Sequence, residues 1–425
     1  MQFALAAEWH GICGRNIIKA VKNKILLFLT LIVFTSCERQ APPEETPLAL
    51  PLSIEEEIPP QNNYLTIIAV GDNLFHNVMV RHGEEGDYEA IYSEIRYLVQ
   101  AADIAFINQE TVLGGKEFGF TGWPLFNSPQ SLGRALYKTG FNVVNHANNH
   151  AMDRGEAALQ ATIDFWKTLP DVAVIGVYGS QESRNSPTII EINNFRVGFL
   201  AYTQCTNGLP VPAHRPYMVS LINREIMARE ISALRPLCDV LIVSMHWGDE
   251  YVHTPNRRQN DLAAFLAEQQ VDIVFGHHPH VLQPVEFIRR PDGRVMLCFF
   301  SLGNFVSAQD RTYRMLGAMA YIRLRLIPPQ NEGERGCFIF MDDGVIPVVT
   351  HFERNWTNFK VYPLYSYTDE LAAIHWMTLN PERAGGEFNL DFLTNLSRSV
   401  LGNRVINRNP FLSIRAAACQ QAPIK

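Results

Sequence analysis

The chain has no Cys-x-x-Cys pair, and its seven cysteines are too scattered to form a framework, which excludes a zinc ribbon and a disulfide-stapled scaffold. It has no excess of basic charge. Lys and Arg number 36 against 43 Asp and Glu, leaving a net charge of -7 and a pI of about 6.0. That excludes a protein gripping nucleic acid through bulk charge. No internal repeat is apparent. With 47% hydrophobic and 19% charged residues the composition is ordinary for a globular protein, neither disordered nor collagen-like. The 425 residues suffice for two or three average domains, or for one large α/β domain with extensions.

The amino-terminal region reads as an export signal rather than as part of the fold. An apolar run, ILLFLTLIVF at residues 25–34, follows Arg15, Lys19, Lys22 and Lys24 and precedes Thr35-Ser36-Cys37. It falls well short of the about 20 residues that span a bilayer. Residues 34–37 resemble a bacterial lipobox, with Phe34 in place of the usual aliphatic residue, so Cys37 is the expected lipidation site and residues 1–36 a lipoprotein-type signal peptide. A plain signal peptide and an uncleaved anchor remain alternatives, and all three place the rest of the chain outside the cytoplasmic membrane. The stretch before Val21 is long for such a signal. Residues 37–63 carry six prolines and six glutamates, a composition that stiffens and extends, and read as a tether.

From residue 64 onward, short β-branched or aromatic runs at 64–70, 104–107, 142–144, 172–175, 197–201, 240–244, 273–275 and 295–300 predict buried strands. Helical patterns are expected at 88–100, 130–138, 156–169, 222–234 and 257–270. The alternation predicts an α/β fold, layered, with central β-sheets flanked by helices. Beyond Val306, residues 317–327 and 344–350 read as strands, and 368–378 and 390–401 as helices. The expected division is a domain over 64–350 and a small helical C-terminal extension over 351–425.

Polar residues gather where the strands end. The loops are Gly71-Asp72-Asn73-Leu74-Phe75-His76, Asn108-Gln109-Glu110-Thr111, the segment from Asn145 to Asp153, Met245-His246-Trp247-Gly248-Asp249-Glu250, Gly276-His277-His278-Pro279-His280 and Ser301-Leu302-Gly303-Asn304. Ligand sites of α/β sheets lie beyond the carboxyl ends of the strands, so these loops converge on one crevice. Seven of the thirteen histidines fall in them. Carboxylates, amide oxygens and imidazoles without thiolates suit zinc, manganese or iron. A single histidine in such a loop is more often a hydrogen-bonded structural residue; the case rests on the clustering.

The series GDNLFHN, INQETVLGG, NVVNHANNHAMDRG, IVSMHWGDEY, IVFGHHPHVLQP and FFSLGNFV, over roughly residues 64–306, resembles the CapA family linked to poly-γ-glutamate capsule synthesis, whose domain is similar to calcineurin-like metallophosphatases. The resemblance implies a binuclear centre of two divalent metal ions (Mn, Zn or Fe). Asp72 and His280 would serve the first metal, Asn149, His246 and His278 the second, and Glu110 would bridge both. It implies that His150 faces the substrate as proton donor, oriented by Asp153. The chain departs from the phosphatase pattern in several places: His76 lies four residues after Asp72 instead of two, Glu110 replaces an aspartate, GDxxD is missing, and His277 stands where a small residue is usual.

Other residues have plainer readings beside functional ones. His146 reads as a strand-end hydrogen-bonder. Trp247 lines the pocket or belongs to the core. Glu250 supports the ligands or is a solvated charge. Asn304 binds substrate or simply makes a turn. Cys205, Cys238 and Cys298 read as small buried residues. Taken together, the sequence predicts an exported, membrane-anchored CapA-like metallohydrolase of the cell envelope, acting on a phosphoester or on an amide or ester of an envelope polymer. The rivals are a non-catalytic metal-containing subunit of a capsule polymer synthesis or export complex, in which a membrane synthase or exporter is the partner, and a solute-binding lipoprotein, which leaves the clustered ligands unexplained.

Overall fold

The computed structural model describes residues 63–328 and 336–412. The signal peptide, the lipidation site Cys37 and the tether up to Asn62 lie outside the described residues. Among those described, no helix is long and apolar enough to cross a membrane.

Fourteen strands among the described residues form two sheets. In chain order they are β1 (Tyr64–Leu74), β2 (Ile104–Gln109), β3 (Val143–Asn145), β4 (Ala173–Ile175), β5 (Thr188–Ile192), β6 (Phe195–Thr203), β7 (Val240–His246), β8 (Ile273–His277), β9 (Val285–Arg289), β10 (Val295–Phe299), β11 (Asn304–Ser307), β12 (Leu316–Ile327), β13 (Cys337–Glu353) and β14 (Thr357–Pro363). The first sheet has the order β14-β13-β12-β1-β2-β3-β4, with β11 also paired to β1; the second has the order β5-β6-β7-β8-β10-β9. β1 to β4 run parallel, as do β6, β7, β8 and β10, while antiparallel strands close the edges.

Alternation along the strands sets the layers. On β1, Leu65, Ile67 and Ala69 join a core shared with Phe199 and Ile242 of the second sheet, while Ile68 and Val70 pack outward with Leu132 and Leu136 of the helix Gln130–Thr139. On β7, Val240 and Ile242 face the shared core, and Leu241 and Val243 pack under the helices Arg224–Leu234 and Arg257–Glu268. The result is two sheets face to face with helices on their outer sides, the α/β layering expected from the sequence. All the expected strands are present.

Three expectations about elements are corrected. Residues 88–100 do not form one helix: a 3₁₀ turn at Glu89–Tyr92 and a single α turn at Arg96–Val99 are separated at Ile95, whose φ of -120° leaves the helical region. Ile91, Tyr92, Ile95, Leu98 and Val99 are all buried in the outer core nonetheless, so helical spacing here reports burial rather than a continuous helix. The sheet also runs past residue 350. β13 continues to Glu353 and turns through Asn355 and Trp356, at φ of 62° and 57°, into β14, so the helical extension begins after Pro363 rather than at 351. The helix expected over 368–378 is divided at His375 into Asp369–Ile374 and Trp376–Leu379.

Candidate metal centre

Both sheets aim their carboxyl-terminal strand ends at one place. Asp72 lies near the end of β1, Glu110 follows β2, and Asn149 and His150 follow β3; from the second sheet, His246 ends β7, while His278 and His280 follow β8. Close approach makes this convergence possible. A Cβ on Gly71 would lie 2.0 Å from Gly303 O, and one on Gly276 would lie 2.0 Å from Phe300 O, so only glycine lets these strand ends reach the neighbouring backbone.

A row of amides crosses the first sheet towards Asp72. Asn145 Nδ2 donates to Asn108 Oδ1 (2.8 Å), and Asn108 Nδ2 donates to Asp72 Oδ1 (2.8 Å), following the register of β3, β2 and β1. The other oxygen, Asp72 Oδ2, faces the second sheet: His280 Nδ1 stands 3.0 Å away, and the His278 backbone N–H donates to it at 3.3 Å. Burial works to raise the Asp72 pKa, but hydrogen bonding by His277 and His280 outweighs it and holds the carboxyl well below its ordinary value.

Glu110 is fully buried, and neither carboxylate oxygen has a hydrogen-bond partner among the described residues. Its Oε1 lies 3.5 Å from His246 Nε2 and 3.7 Å from His280 Nε2. Burial pushes its pKa well above the ordinary carboxylate value. An ionised carboxylate with no donor is expensive to bury, and a bound cation is what relieves that cost.

Two triads of possible ligands meet at this residue. Asp72, Glu110 and His280 offer atoms within 4.8 Å of one another, and so do Glu110, His246 and His278. Asn149 Oδ1 lies 2.9 Å from His246 Nε2, on the side of the second triad. His278 and His280 have φ of 96° and 56°, a left-handed backbone that imidazole residues adopt at a cost and that turns both side chains back towards the carboxylates. The charge of Glu110 and the contact with Asp72 overcome burial and raise the His280 pKa to about 9, whereas burial lowers that of His278 to about 4. The donor set, carboxylate, amide oxygen and imidazole in fully buried positions, fits divalent transition metals.

Beside the triads lies a cavity of about 350 Å³ whose lining includes Asn149, His150, His280 and Glu250. His150 Nδ1 is 2.7 Å from Asp153 Oδ2, which also accepts from the Phe126 backbone N–H at 2.7 Å. The pairing fixes the ring and leaves Nε2 as the nitrogen available to the cavity. Three larger hollows, of about 460, 580 and 440 Å³, lie elsewhere, beside Arg184 and Glu230, beside Tyr367 and Arg398, and beside Arg224 and Asp261. None holds a carboxylate–histidine triad among the described residues, so chemistry rather than size identifies the site.

The family described as Bacterial capsule synthesis protein PGA_cap matches residues 66–309, more than half of the chain. The chain belongs to the PGA_cap family. It is 29% identical over 269 residues to the PGA biosynthesis protein CapA of Bacillus subtilis (strain 168), covering 62% of this chain and 69% of that protein. It is 31% identical over 197 residues to the Capsule biosynthesis protein CapA of Bacillus anthracis, covering 45% of this chain and 46% of that one. Similar solved structures include a 5'-nucleotidase precursor from Thermus thermophilus, with 15% identity and a TM-score of 0.41 over 67% of this chain and 54% of that one. Another is the NAD nucleotidase of Haemophilus influenzae, with 11% identity and a TM-score of 0.43 over 84% and 67%.

Within this PGA_cap chain several single-residue expectations are settled by contacts. Trp247 does not line the cavity: it is buried, stacks on Phe300 at 6.0 Å, and donates its indole N–H to Phe300 O at 3.0 Å. A strand that ends in a polar loop still packs its last apolar side chains under the outer helices. Asn304 is also buried; it donates to Gln309 Oε1 (3.0 Å) and Arg314 O (3.1 Å), and so stands behind the cavity wall rather than in it. His146 accepts from Trp166 Nε1 at 2.8 Å, a structural contact. His76 lines the cavity, but its Nδ1 accepts from the Ala308 N–H at 3.2 Å. His277 stacks on Phe106 at 5.7 Å, with Nδ1 3.5 Å from Asp72 Oδ1. Glu250 forms a third possible triad with His278 and His280, at the exposed edge.

The sequence reading missed Asn207, Phe126, Trp123, Tyr251 and Gln309, all of which line the cavity. Asn207 links the two working residues of the third loop: its Oδ1 accepts from Asn149 Nδ2 at 3.3 Å, and its Nδ2 is 3.4 Å from His150 Nδ1. Its one sequence signal is the turn pair Asn207-Gly208, which fits its φ of 49° and says nothing of chemistry.

Proposed function

We propose that the protein is an exported, metal-dependent hydrolase of the cell envelope, tethered through Cys37 and acting in capsule-polymer metabolism of the poly-γ-glutamate type. The observation that carries the reading is the fully buried Glu110 carboxylate, unpartnered among the described residues and shared by two ligand triads. Asp72 and His280 would hold one divalent ion, and His246, His278 and Asn149 a second, with Glu110 common to both. Such ions supply Lewis acidity, acidifying water and stabilising negative charge that develops on a phosphoryl or carbonyl oxygen.

The chain's own residues provide the rest. Asp153, held by the Phe126 N–H, keeps the His150 Nδ1 proton in place and turns Nε2 to the cavity, where it delivers a proton to the departing oxygen or nitrogen. Asn207 Oδ1 accepts from Asn149 Nδ2 and so turns the amide oxygen of Asn149 to the ligand cluster. Phe126 packs edge-on to the His150 ring at 4.6 Å and excludes water from its flank. A metal-containing accessory subunit would need the triads but not the His150–Asp153 pair.

The test is to purify the full chain and its Glu110→Ala variant, measure bound transition metal by elemental analysis, and assay generic phosphoesters and γ-glutamyl amides. The hydrolase reading requires bound metal and turnover that both fall with Glu110→Ala. Metal without turnover would select the accessory-subunit reading, and a wild-type chain that takes up no divalent metal would sink both.

A further inference from the structure

Trp123 is 70% exposed and Leu125 is 41% exposed, although most large apolar side chains among the described residues are buried. The loop that carries them is fastened at several points. Thr121 and Asn127 exchange backbone hydrogen bonds at 3.0 and 2.9 Å, and the Gly122 N–H donates to Asn77 Oδ1 at 2.6 Å. A Cβ on Gly122 would lie 2.2 Å from Asn77 N, so the loop lies directly against the segment leaving β1. On its inner side Phe126 packs against the rings of His150 and His76. Its backbone N–H holds Asp153. The same short segment therefore positions the proton donor and presents Trp123 at the cavity mouth.

The charge of the lining narrows what Trp123 meets. No lysine or arginine is among the described residues lining this cavity, Arg314 being stacked on the Tyr251 ring at 3.4 Å, and Glu250 at its exposed edge is acidic. Beyond the ligand cluster, the lining itself offers an anionic chain no ion pair. What remains are the apolar faces of Trp123, Pro124, Leu125 and Leu209 and the amides of Asn207 and Gln309.

We infer that Trp123 is a specificity-determining residue that stacks on a flat, uncharged face of the substrate beside the reacting group. The inference rests on the hydrolase reading above for where that group sits. In the capsule-polymer reading above, that face is the amide plane of a γ-glutamyl chain, whose carboxylates then point to water. The substrate reaches past the cavity mouth, and affinity grows when a second unit is added.

The experiment compares full-chain, metal-loaded His150→Ala protein, chosen to slow turnover, with the same protein carrying Trp123→Ala or Trp123→Phe. Binding of γ-glutamyl oligomers and of oligosaccharides is measured by calorimetry. The γ-glutamyl oligomers are expected to bind. Their dissociation constant should rise roughly fivefold to tenfold with Trp123→Ala, as befits the loss of an aromatic contact, and recover with Trp123→Phe. Raising salt from about 0.05 to about 0.5 M should matter less than losing the indole, since screening acts on charge pairs. Unchanged affinity in Trp123→Ala, an affinity that collapses with salt, binding of the oligosaccharides instead, or no binding of either class would overturn the inference. If wild-type protein turns over a small ester and Glu110→Ala does not, the hydrolase reading survives any of those outcomes.

Discussion

Two groups of buried histidines in this chain look alike in the sequence and differ in what surrounds them. In the carboxyl-terminal part, His375 Nε2 lies 3.1 Å from Thr350 O, and its Nδ1 accepts from the Met377 N–H at 2.9 Å, starting the short helix Trp376–Leu379. Beside it His351 Nδ1 meets the Tyr367 hydroxyl at 2.8 Å, while its Nε2 has no hydrogen-bond partner among the described residues and lies 3.8 Å from the half-buried Glu353. Burial wins there: the pKa of His375 is lowered to about 3 and that of His351 to about 4. Between the two sheets the same side chain meets carboxylates instead. Glu110 and Asp72 raise His280 to about 9, while both Glu110 oxygens, His246 Nδ1 and His278 Nδ1 are buried without a hydrogen-bond partner among the described residues. A histidine bonded at both nitrogens, as His375 is, belongs to the packing; a set of histidines around a shared, unpartnered carboxylate is organised for something else to complete.

The largest effect that sharpens this contrast is expected from Glu110→Ala. About two bound metal ions per chain should fall below one, with turnover lost, because the variant removes the one group common to both triads. Retained metal and turnover would erase the distinction between the two histidine groups. Next in size is His150→Ala, which should keep near-normal metal content and lose about 10²–10⁴-fold in rate, less on a substrate with a very good leaving group. Equal loss on good and poor leaving groups would remove the proton-donor role.

His375→Ala probes the other group. It deletes a helix start and a buried carbonyl contact, and should cost about 2–4 kcal/mol in denaturant unfolding with metal content unchanged. Its pH signature has a definite sign. Because folding holds His375 and His351 below the ordinary value of 6.5, the unfolded chain binds more protons, and their contribution to stability is lost progressively as pH falls from about 6.5 towards 4. The stability curve of His375→Ala should be flatter over that window; an unchanged slope would show that these rings do not govern it. The smallest effect is expected from Trp247→Phe, about 1–2 kcal/mol from leaving Phe300 O short of its donor, with KM unchanged. A raised KM would return Trp247 to the cavity lining.

How far the sequence could be read follows from the range of the interactions. Strands such as β1 and β7 were legible because alternation and β-branching are local, and the loops after them because polar residues interrupt apolar runs. The same local view could not distinguish burial from helix at residues 88–100, where Ile95 breaks the turn. Nor could it tell that Trp247 points under the outer helices while His246, one residue earlier, points between the sheets, since that depends on the phase of the pleat at the strand end. Asn207, Phe126 and Trp123 were missed for a different reason: they sit on loops that reach the cavity from far along the chain, and no periodicity marks their arrival.

The pairing of Asp72 with the backbone of His278 spans 206 residues. This has a consequence for the order of events during synthesis. Neither triad is complete until β7 and β8 have emerged and docked against strands made long before, so the growing chain cannot acquire its full complement of ligands piecemeal. Contacts of such high sequence separation form late, after the costly closure of the intervening loops. An ion held by these residues would therefore arrive as a clasp on two sheets already docked, and its retention would report that they have met in the right register.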